Sequence, residues 1–385
     1  MDFSFSPQEA AFREEVRSFF RRELPPGWRG PIYLGEVYEK EEYWALFPQM
    51  ARKLGERGWL GLTWPREYGG QARSPIEALI FAEEYAYIGG VGVDFSAIKL
   101  LAPVLLAFGS EEQKRRHLLP VSRGEVVWCQ GFSEPNAGSD LAGLQTRAQE
   151  MDGHFLLNGQ KIWTSGAHRA NWCFVLARTD PQAPKHRGIS FLLVNLKSPG
   201  VTVKALKNLS GRDGFCEVYF DNVRVPKEEL VGEKNQGWRA ATALLNSERS
   251  GIEWFAAGRH ALEEIAAHFS GDPCLRERLA EIAVELEVGR LLAYRVAWML
   301  QVGRTPEAEA SIAKVFGSEL LRRFSQVGME VLGLYSQLKE DSPRARLQGE
   351  IENFYLESLG RTIAAGTSEI QRNIIALRGL GLPRE

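Results

Sequence analysis

An apolar, aromatic-rich run, Trp128-Cys129-Gln130-Gly131-Phe132, passes directly into a dense polar loop. In that loop Ser133, Asn136, Ser139 and Asp140 carry side-chain hydrogen-bonding groups. Pro135 stiffens the loop, and Gly138 lets its backbone approach a ligand closely. Residue types alone describe a turn, because Ser, Pro, Asn, Gly and Asp are the usual turn formers. Near the other end of the chain Gly366-Thr367-Ser368-Glu369 precedes a helical pattern. Free N–H groups at a helix start attract anions, and simple capping, with Ser368 and Gln371 as a capping box, can coexist with that. The third chemical group is a carboxylate. Over 236–269 an apolar stripe runs through Ala241, Leu244, Leu245, Ile252, Phe255, Leu262 and Ala266, and Glu248 lies on it. A carboxylate on a buried face is costly unless it is paired, here with Arg249 or Arg259, or used. In a dry site its pKa rises above about 4.3, which suits a general base.

The longer strings narrow these alternatives. Ser133-Glu134-Pro135-Asn136-Ala137-Gly138-Ser139-Asp140 closely resembles the signature of the acyl-CoA dehydrogenase family. Gln160-Lys161-Ile162-Trp163-Thr164-Ser165-Gly166, Gly366-Thr367-Ser368-Glu369-Ile370-Gln371-Arg372 and Trp64-Pro65-Arg66-Glu67-Tyr68-Gly69-Gly70 resemble the same family, in the right order and across nearly the whole chain. The resemblance implies a flavoprotein that binds FAD. A flavin ring needs hydrogen bonds along its pyrimidine edge and at N5, with aromatic or apolar cover. By the same resemblance Gln130, Phe132 and Ser133 meet the ring from the first loop, and Trp163 and Ser165 meet it from the second. Gly366, Thr367 and Glu369 fall where the family contacts the ribityl and diphosphate region. Ser139 and Arg249 are assigned to the acyl-CoA substrate. The implied reaction is α,β-dehydrogenation of an acyl-CoA thioester to the trans-2-enoyl-CoA, with an electron-transfer flavoprotein as acceptor.

Two departures from the family pattern bear on mechanism and assembly. Many members carry the catalytic Glu immediately before the Gly-Thr of the last motif, where this chain has Ala365, preceded by Ala364. Leu245-Asn246-Ser247-Glu248-Arg249 resembles the segment from which isovaleryl-type and long-chain members present their Glu, so Glu248 is the expected base. The small alanines also leave room for a bulky or branched acyl group. The Arg-x-Thr-Phe-Gly-like loop that family homotetramers extend to a neighbour's flavin is missing. The connection here is His268-Phe269-Ser270-Gly271-Asp272-Pro273, and the later glycine-rich segment is reduced to Leu332-Gly333-Leu334-Tyr335. The pattern resembles the catalytic subunits of heteromeric acyl-CoA dehydrogenases, some of which oxidise steroid side-chain thioesters. A homo-tetramer, or a hetero-tetramer with a second acyl-CoA dehydrogenase-like chain, is therefore expected. A non-catalytic flavin- or acyl-CoA-binding subunit is the alternative from another class. An oxidase using O2 is a third reading, and the chain lacks the extra C-terminal domain of typical oxidases.

The elements that must position these groups follow the order α, β, α. Residues 1–125 read as helices, opened by a capping box at Ser6-Pro7-Gln8-Glu9. Pro75 starts another helix, and a charged helix at 111–119 ends at Pro120, its Lys114, Arg115 and Arg116 forming a solvated face. Residues 126–235 carry short β-rich runs, with Asp152-Gly153 and Asn158-Gly159 as turn signals and the latter as a hairpin. This reads as a small middle β domain of sandwich or barrel type. Residues 236–385 return to helix as a four-helix-bundle-like domain, with patterns over 236–269, 273–302, 306–333 and 345–359. The fold class is α+β, that of the acyl-CoA dehydrogenase fold.

Composition fits a soluble globular protein of 385 residues, 44% apolar and 25% charged. A net charge of −2 gives no electrostatic footprint for nucleic acid. The four cysteines form no CxxC pair and no metal-like cluster with His, which fits a reduced, cytoplasmic setting. No apolar run reaches the length of a membrane span, and the polar, acidic N-terminus is unlike a signal peptide.

Overall fold

The structure, a computed structural model, describes residues 4–32, 35–247, 251–269 and 271–383. In chain order the helices are α1 (Pro7–Glu23), α2 (Glu36–Glu39), α3 (Glu41–Glu56), α4 (Pro75–Tyr87), α5 (Ala102–Phe108), α6 (Glu111–Gln113) and α7 (Leu119–Ser122). Eight strands follow: β1 (Trp128–Gly131), β2 (Arg147–Glu150), β3 (His154–Ser165), β4 (Trp172–Arg178), β5 (Ile189–Asn195), β6 (Val201–Leu206), β7 (Phe215–Pro226) and β8 (Leu230–Val231). The last helices are α8 (Gly237–Ser247), α9 (Ile252–Ala266), α10 (Pro273–Gln301), α11 (Glu307–Leu332), α12 (Glu350–Arg361) and α13 (Ser368–Ile374).

These elements pack as two units that do not follow the compositional boundaries near 125 and 235. One gathers 1–34, 73–90 and 249–385; the other gathers 35–72 and 91–248. In the first, α1 begins with the expected capping box, Ser6 Oγ accepting from Glu9 N–H while Glu9 accepts from Ser6 N–H. It buries Phe12, Val16, Phe19 and Phe20, the last against Phe81 and Tyr85 of α4. Helix α4 packs in turn on α9 and α10. Its Glu83 is buried and bonded to Arg13 and to the Tyr294 hydroxyl.

In the second unit the strands form one sheet, in the order β6-β7-β3-β2-β4-β5-β8, with β1 paired in parallel to β4. Alternation sorts its side chains. Phe174 and Leu176 of β4, with Phe191 and Leu193 of β5, face a cluster completed by Leu100, Leu101, Val104, Leu105 and Ala241 from the helical segments. Cys173, Val175, Leu192 and Val194 face an opposite cluster with Phe155, Leu157, Val218 and Val223. Strands β5 and β7 touch although three strands lie between them in the sheet order, so the sheet closes over this second cluster.

Three local expectations are corrected. Asn158-Gly159 is not a hairpin turn, because β3 runs straight through it with a register shift against β7. The turn between β2 and β3 lies instead at Asp152-Gly153, with Gly153 at φ 73° and Met151 N–H bonded to His154 C=O. Pro120 does not end its helix: a π-helical turn over Lys114–Leu118 carries the chain into α7, with Pro120 in its first turn. The pattern over 236–269 is two helices, not one. Gly251 has a left-handed φ of 69° at the N-cap of α9, and a residue in that conformation cannot continue a right-handed helix.

Candidate active site

The two motifs expected to meet a flavin ring are brought together on the second unit. Strand β1 carries Gln130 and delivers Phe132 and Ser133 at its end; β3 carries Trp163 and Ser165 at its end. The motifs are joined by a main-chain bond of 3.0 Å from Ile162 N–H to Ser133 C=O. Phe132 is buried, edge-on to Phe174 and Phe191. Gln130 and Ser133 are half-buried, and Ser165 is exposed.

The backbone of β3 explains the orientation of Trp163. The pairing of β3 with β7 slips between Lys161 and Thr164, and Trp163 has a φ of 60°. Such a bulge re-aims a side chain that regular alternation would turn inward. Lys161 and Thr164 on either side are fully buried, while the Trp163 indole is 56% exposed, meeting Phe215 edge-on. A left-handed non-Gly residue carries strain, and such strain clusters at functional sites.

The residues fit the ring of a flavin by an observation of this structure. Among the described residues the Gln130, Ser133 and Ser165 side chains have no hydrogen-bond partner, and the Ser133 N–H has none either. Open polar groups beside a large exposed aromatic face match the needs of a planar, acceptor-edged ring.

The loop after Ser133 is held from beneath. Glu134 and Ala137 exchange main-chain bonds of 3.0 Å. The Glu134 carboxylate accepts from Gln145 N–H (2.6 Å), Thr146 N–H (2.9 Å) and the Lys161 ammonium (2.7 Å). Burial acts to raise the Glu134 pKa, but Lys161 and these donors outweigh it and hold the carboxyl below its ordinary value. Asp94 supports β1 from the other side, accepting from Trp128 N–H at 2.6 Å. Sequence reading gave no role to Asp94 or to the Glu134–Lys161 pair. Counting by twos from Phe155 and Leu157 puts Lys161 on the inward face, a signal hidden by the false turn at Asn158-Gly159. Ser139 lies exposed farther along the loop, beside the Lys185–Asp140 ion pair.

The third motif lies in the first unit, at the start of α13. The cap is Thr367, not Ser368: its hydroxyl accepts from Ile370 N–H at 3.2 Å. Ser368 is buried one position inside the helix. Gln371 is no capping-box partner. Its buried amide donates to Ala365 C=O at 2.9 Å and so clasps the turn. Gly366 has a φ of 83°, and Ala365, at the family's usual base position, has a φ of 53°. Glu369 is exposed, its carboxyl held below the ordinary value by its own backbone N–H and the Thr367 hydroxyl.

Glu248 and Arg249 lie outside the described residues. In sequence they fall between α8 and α9, so the single stripe expected to carry Glu248 is broken at Gly251. The buried face of α9 comprises Ile252, Phe255, Ala256, Ala261 and Ile265, whereas Leu262 is half-buried and Ala266 exposed. Arg259, considered as a partner for Glu248, pairs with Glu263 at 3.2 Å. A carboxylate not singled out from sequence, Glu253 in the first turn of α9, is buried.

Comparison with known proteins decides the family. Models of the acyl-CoA dehydrogenase N-terminal, middle and C-terminal domains match residues 6–125, 129–223 and 235–380. The chain belongs to the acyl-CoA dehydrogenase family. It is 36% identical to acyl-CoA dehydrogenase FadE26 of Mycobacterium tuberculosis, over all of this chain and 99% of that one. It is also 36% identical to acyl-CoA dehydrogenase IpdE1 of the same organism, covering 97% of this chain and 98% of the relative. Among solved structures it is similar to the Tcur3481-Tcur3483 steroid ACAD, with a TM-score of 0.90, 33% identity and full coverage of both chains. It is likewise similar to the ChsE4-ChsE5 complex from Mycobacterium tuberculosis, with a TM-score of 0.88, 36% identity and full coverage of both. The fold is thus that of the acyl-CoA dehydrogenases, the class of enzyme is an oxidoreductase, and the family implies a flavin cofactor. Among the described residues no helix is long and apolar enough to cross a membrane.

Proposed function

We propose that the chain catalyses FAD-dependent α,β-dehydrogenation of a bulky acyl-CoA thioester, forming the trans-2-enoyl-CoA, as one subunit of a hetero-tetramer. The observation that carries the catalytic reading is the joining of the Ser133 and Trp163–Ser165 loops, with their hydrogen-bonding groups open and the indole exposed. Bound FAD supplies the acceptor for the hydride leaving the β carbon. The chain's own residues do the rest. Glu248 takes the α proton, and the electron pair of that C–H bond becomes the new π bond as the β hydride departs. Gln130, Ser133 and Ser165 hold the polar edge of the ring, and Phe132 and Trp163 cover it. Gly366, Thr367 and Glu369 serve the ribityl and diphosphate region. Ser139 and Arg249 bind the acyl-CoA, and an electron-transfer flavoprotein reoxidises the enzyme.

Shared assembly is supported by what this chain lacks and exposes. The turn from α9 to α10 is short. After α11, Leu334 is 83% and Tyr335 45% exposed, and exposed apolar side chains at one place mark a surface for a partner. Two structural relatives are themselves described as two-component complexes, one of them a steroid enzyme. With Ala364 and Ala365 in place of larger side chains, a steroid-derived or similarly bulky acyl group is the substrate class favoured here.

The deciding experiment is the absorption spectrum of the purified chain, alone and with candidate partner chains, followed by addition of acyl-CoA esters. Flavin bands that bleach with a bulky ester are expected from the mixed assembly. A tight flavin on every chain without a partner would refute sharing. No flavin in any assembly would refute the enzyme reading. A panel in which short straight chains reacted fastest would refute the substrate class.

A further inference from the structure

We propose that Lys161 is a positioning residue, whose ammonium group sets the direction of the Ser133 N–H that faces the flavin. The inference rests on the flavin reading above.

Lys161 lies in β3 with a fully buried side chain. Its ammonium donates to Phe132 C=O at 3.1 Å and to Glu134 Oε1 at 2.7 Å. The Phe132 carbonyl and the Ser133 N–H belong to one planar trans peptide, so they point in opposite directions. Drawing the carbonyl inward onto Lys161 therefore turns the Ser133 N–H away from the core. That N–H is the group with no partner among the described residues. The next carbonyl, of Ser133, is drawn toward β3 by Ile162 N–H. Two consecutive carbonyls are thus fixed by consecutive residues of β3, immediately before the bulge that turns Trp163 outward. One side chain thereby registers both flavin-facing loops.

Packing alone does not call for a charge here. A buried ion pair generally gives no net stability over apolar residues of similar volume. What a Met at this site could not do is hold a carbonyl. The charge is finely balanced: burial pushes the Lys161 pKa down to about 8, against the attraction of Glu134. Among the described residues the other groups facing this pair are the Cys173 thiol from β4, on Lys161, and Arg178 from the end of β4, on Glu134. Loss of the proton above about pH 8 weakens the donor and leaves Glu134 without its cation. Flavin affinity, if it depends on this clamp, must then fall as pH rises through that value.

The test measures FAD dissociation constants from pH 7 to 9 for the protein in its flavin-binding assembly, comparing wild type, Lys161→Met and Glu134→Gln, with circular dichroism as the check on folding. Wild-type affinity should fall across this range. Lys161→Met should bind FAD about 10- to 100-fold more weakly at pH 7, the worth of one charge-assisted hydrogen bond, and show no fall with pH. Glu134→Gln should lose less, since Lys161 still reaches Phe132. A folded Lys161→Met variant with wild-type affinity and pH profile overturns the proposal. Should that variant not fold, a flat wild-type profile overturns it equally. Absence of flavin from every wild-type assembly instead refutes the flavin reading, and the proposal with it.

Discussion

The Asp94 carboxylate accepts the Trp128 main-chain N–H at 2.6 Å, tying the segment before a π-helical turn to the first residue of β1. No basic side chain among the described residues pairs with it. Burial pushes this carboxyl up to about 7, against the bonds from Trp128, Ala97 and Ser96 N–H that pull it down. The unfolded chain releases the same proton near pH 3.9. The folded state therefore holds the proton over that interval. Its contribution to stability is full below about pH 4 and is lost as pH rises through about 7, to the extent of about 4 kcal/mol at most. Asp94→Asn removes this titration. Urea unfolding from about pH 4.5 to 8 should show the variant gaining on wild type as pH rises. A constant difference would mean that Asp94 is ionised throughout.

Replacing Glu248 by Gln should lower turnover by about 10²- to 10⁴-fold or more while flavin content and folding stay unchanged, as expected for loss of a general base. Glu253→Gln is the informative control, because this second carboxylate is buried in the first turn of α9. If Glu253→Gln has the larger effect on turnover, the base must be reassigned to it.

Glu83 accepts from Arg13 and from the Tyr294 hydroxyl, both at 2.5 Å, with Arg290 at 3.7 Å. Glu83→Ala leaves two arginines facing a lost charge and should cost about 3–5 kcal/mol. Tyr294→Phe, which removes the bond donated to Glu83 and the one accepted from Arg13 at 2.6 Å, should cost about 1–3 kcal/mol. Both are read by denaturant unfolding; similar costs for the two would show that the charge itself contributes little.

Gly159→Ala places a methyl group 2.5 Å from Thr146 Oγ1 and 2.7 Å from Thr146 Cα. An expected loss of about 1–3 kcal/mol follows from the overpacking. A variant as stable as wild type would show that β2 can retreat from β3 at no cost.

Gly159 also shows where a sequence can be read and where it cannot. The runs that became β4 and β5 were legible because both faces of those strands are buried and their apolar character is continuous. Asn158-Gly159 carries the same local signal as a hairpin turn, yet the glycine is there because Thr146 passes too close for a side chain. That reason lies in the pairing of β2 with β3. Pro120 and Gly251 make the same point in opposite directions. A widened turn carries the helix into the proline, and a left-handed glycine interrupts a pattern whose periodicity looked unbroken. The strings at 133–140, 160–166 and 366–372 were visible as a polar loop, the end of a β-rich run and a helix start. The buried groups beneath the first two, Asp94, Glu134 and Lys161, were not, because the burial of a charge depends on which strands pair.

The route of the chain also bears on how it must be synthesised. It passes between the two packing units after residues 34, 72, 90 and 248. Helix α4 emerges from the ribosome with Leu79, Ile80 and Phe81 needing cover, yet α9 and α10, on which it packs, are translated much later. At about 5–20 residues per second the wait between Tyr87 and Ile252 is roughly 10–30 s. During that time α1 covers one side of α4, through Phe20 on Phe81 and Tyr85, but the side that meets α9 and α10 stays open. Nascent chains of this protein are therefore clients for a holding chaperone at that stage. Truncation after α8 yields a product in which that side of α4 is never covered, and a protease should clear it.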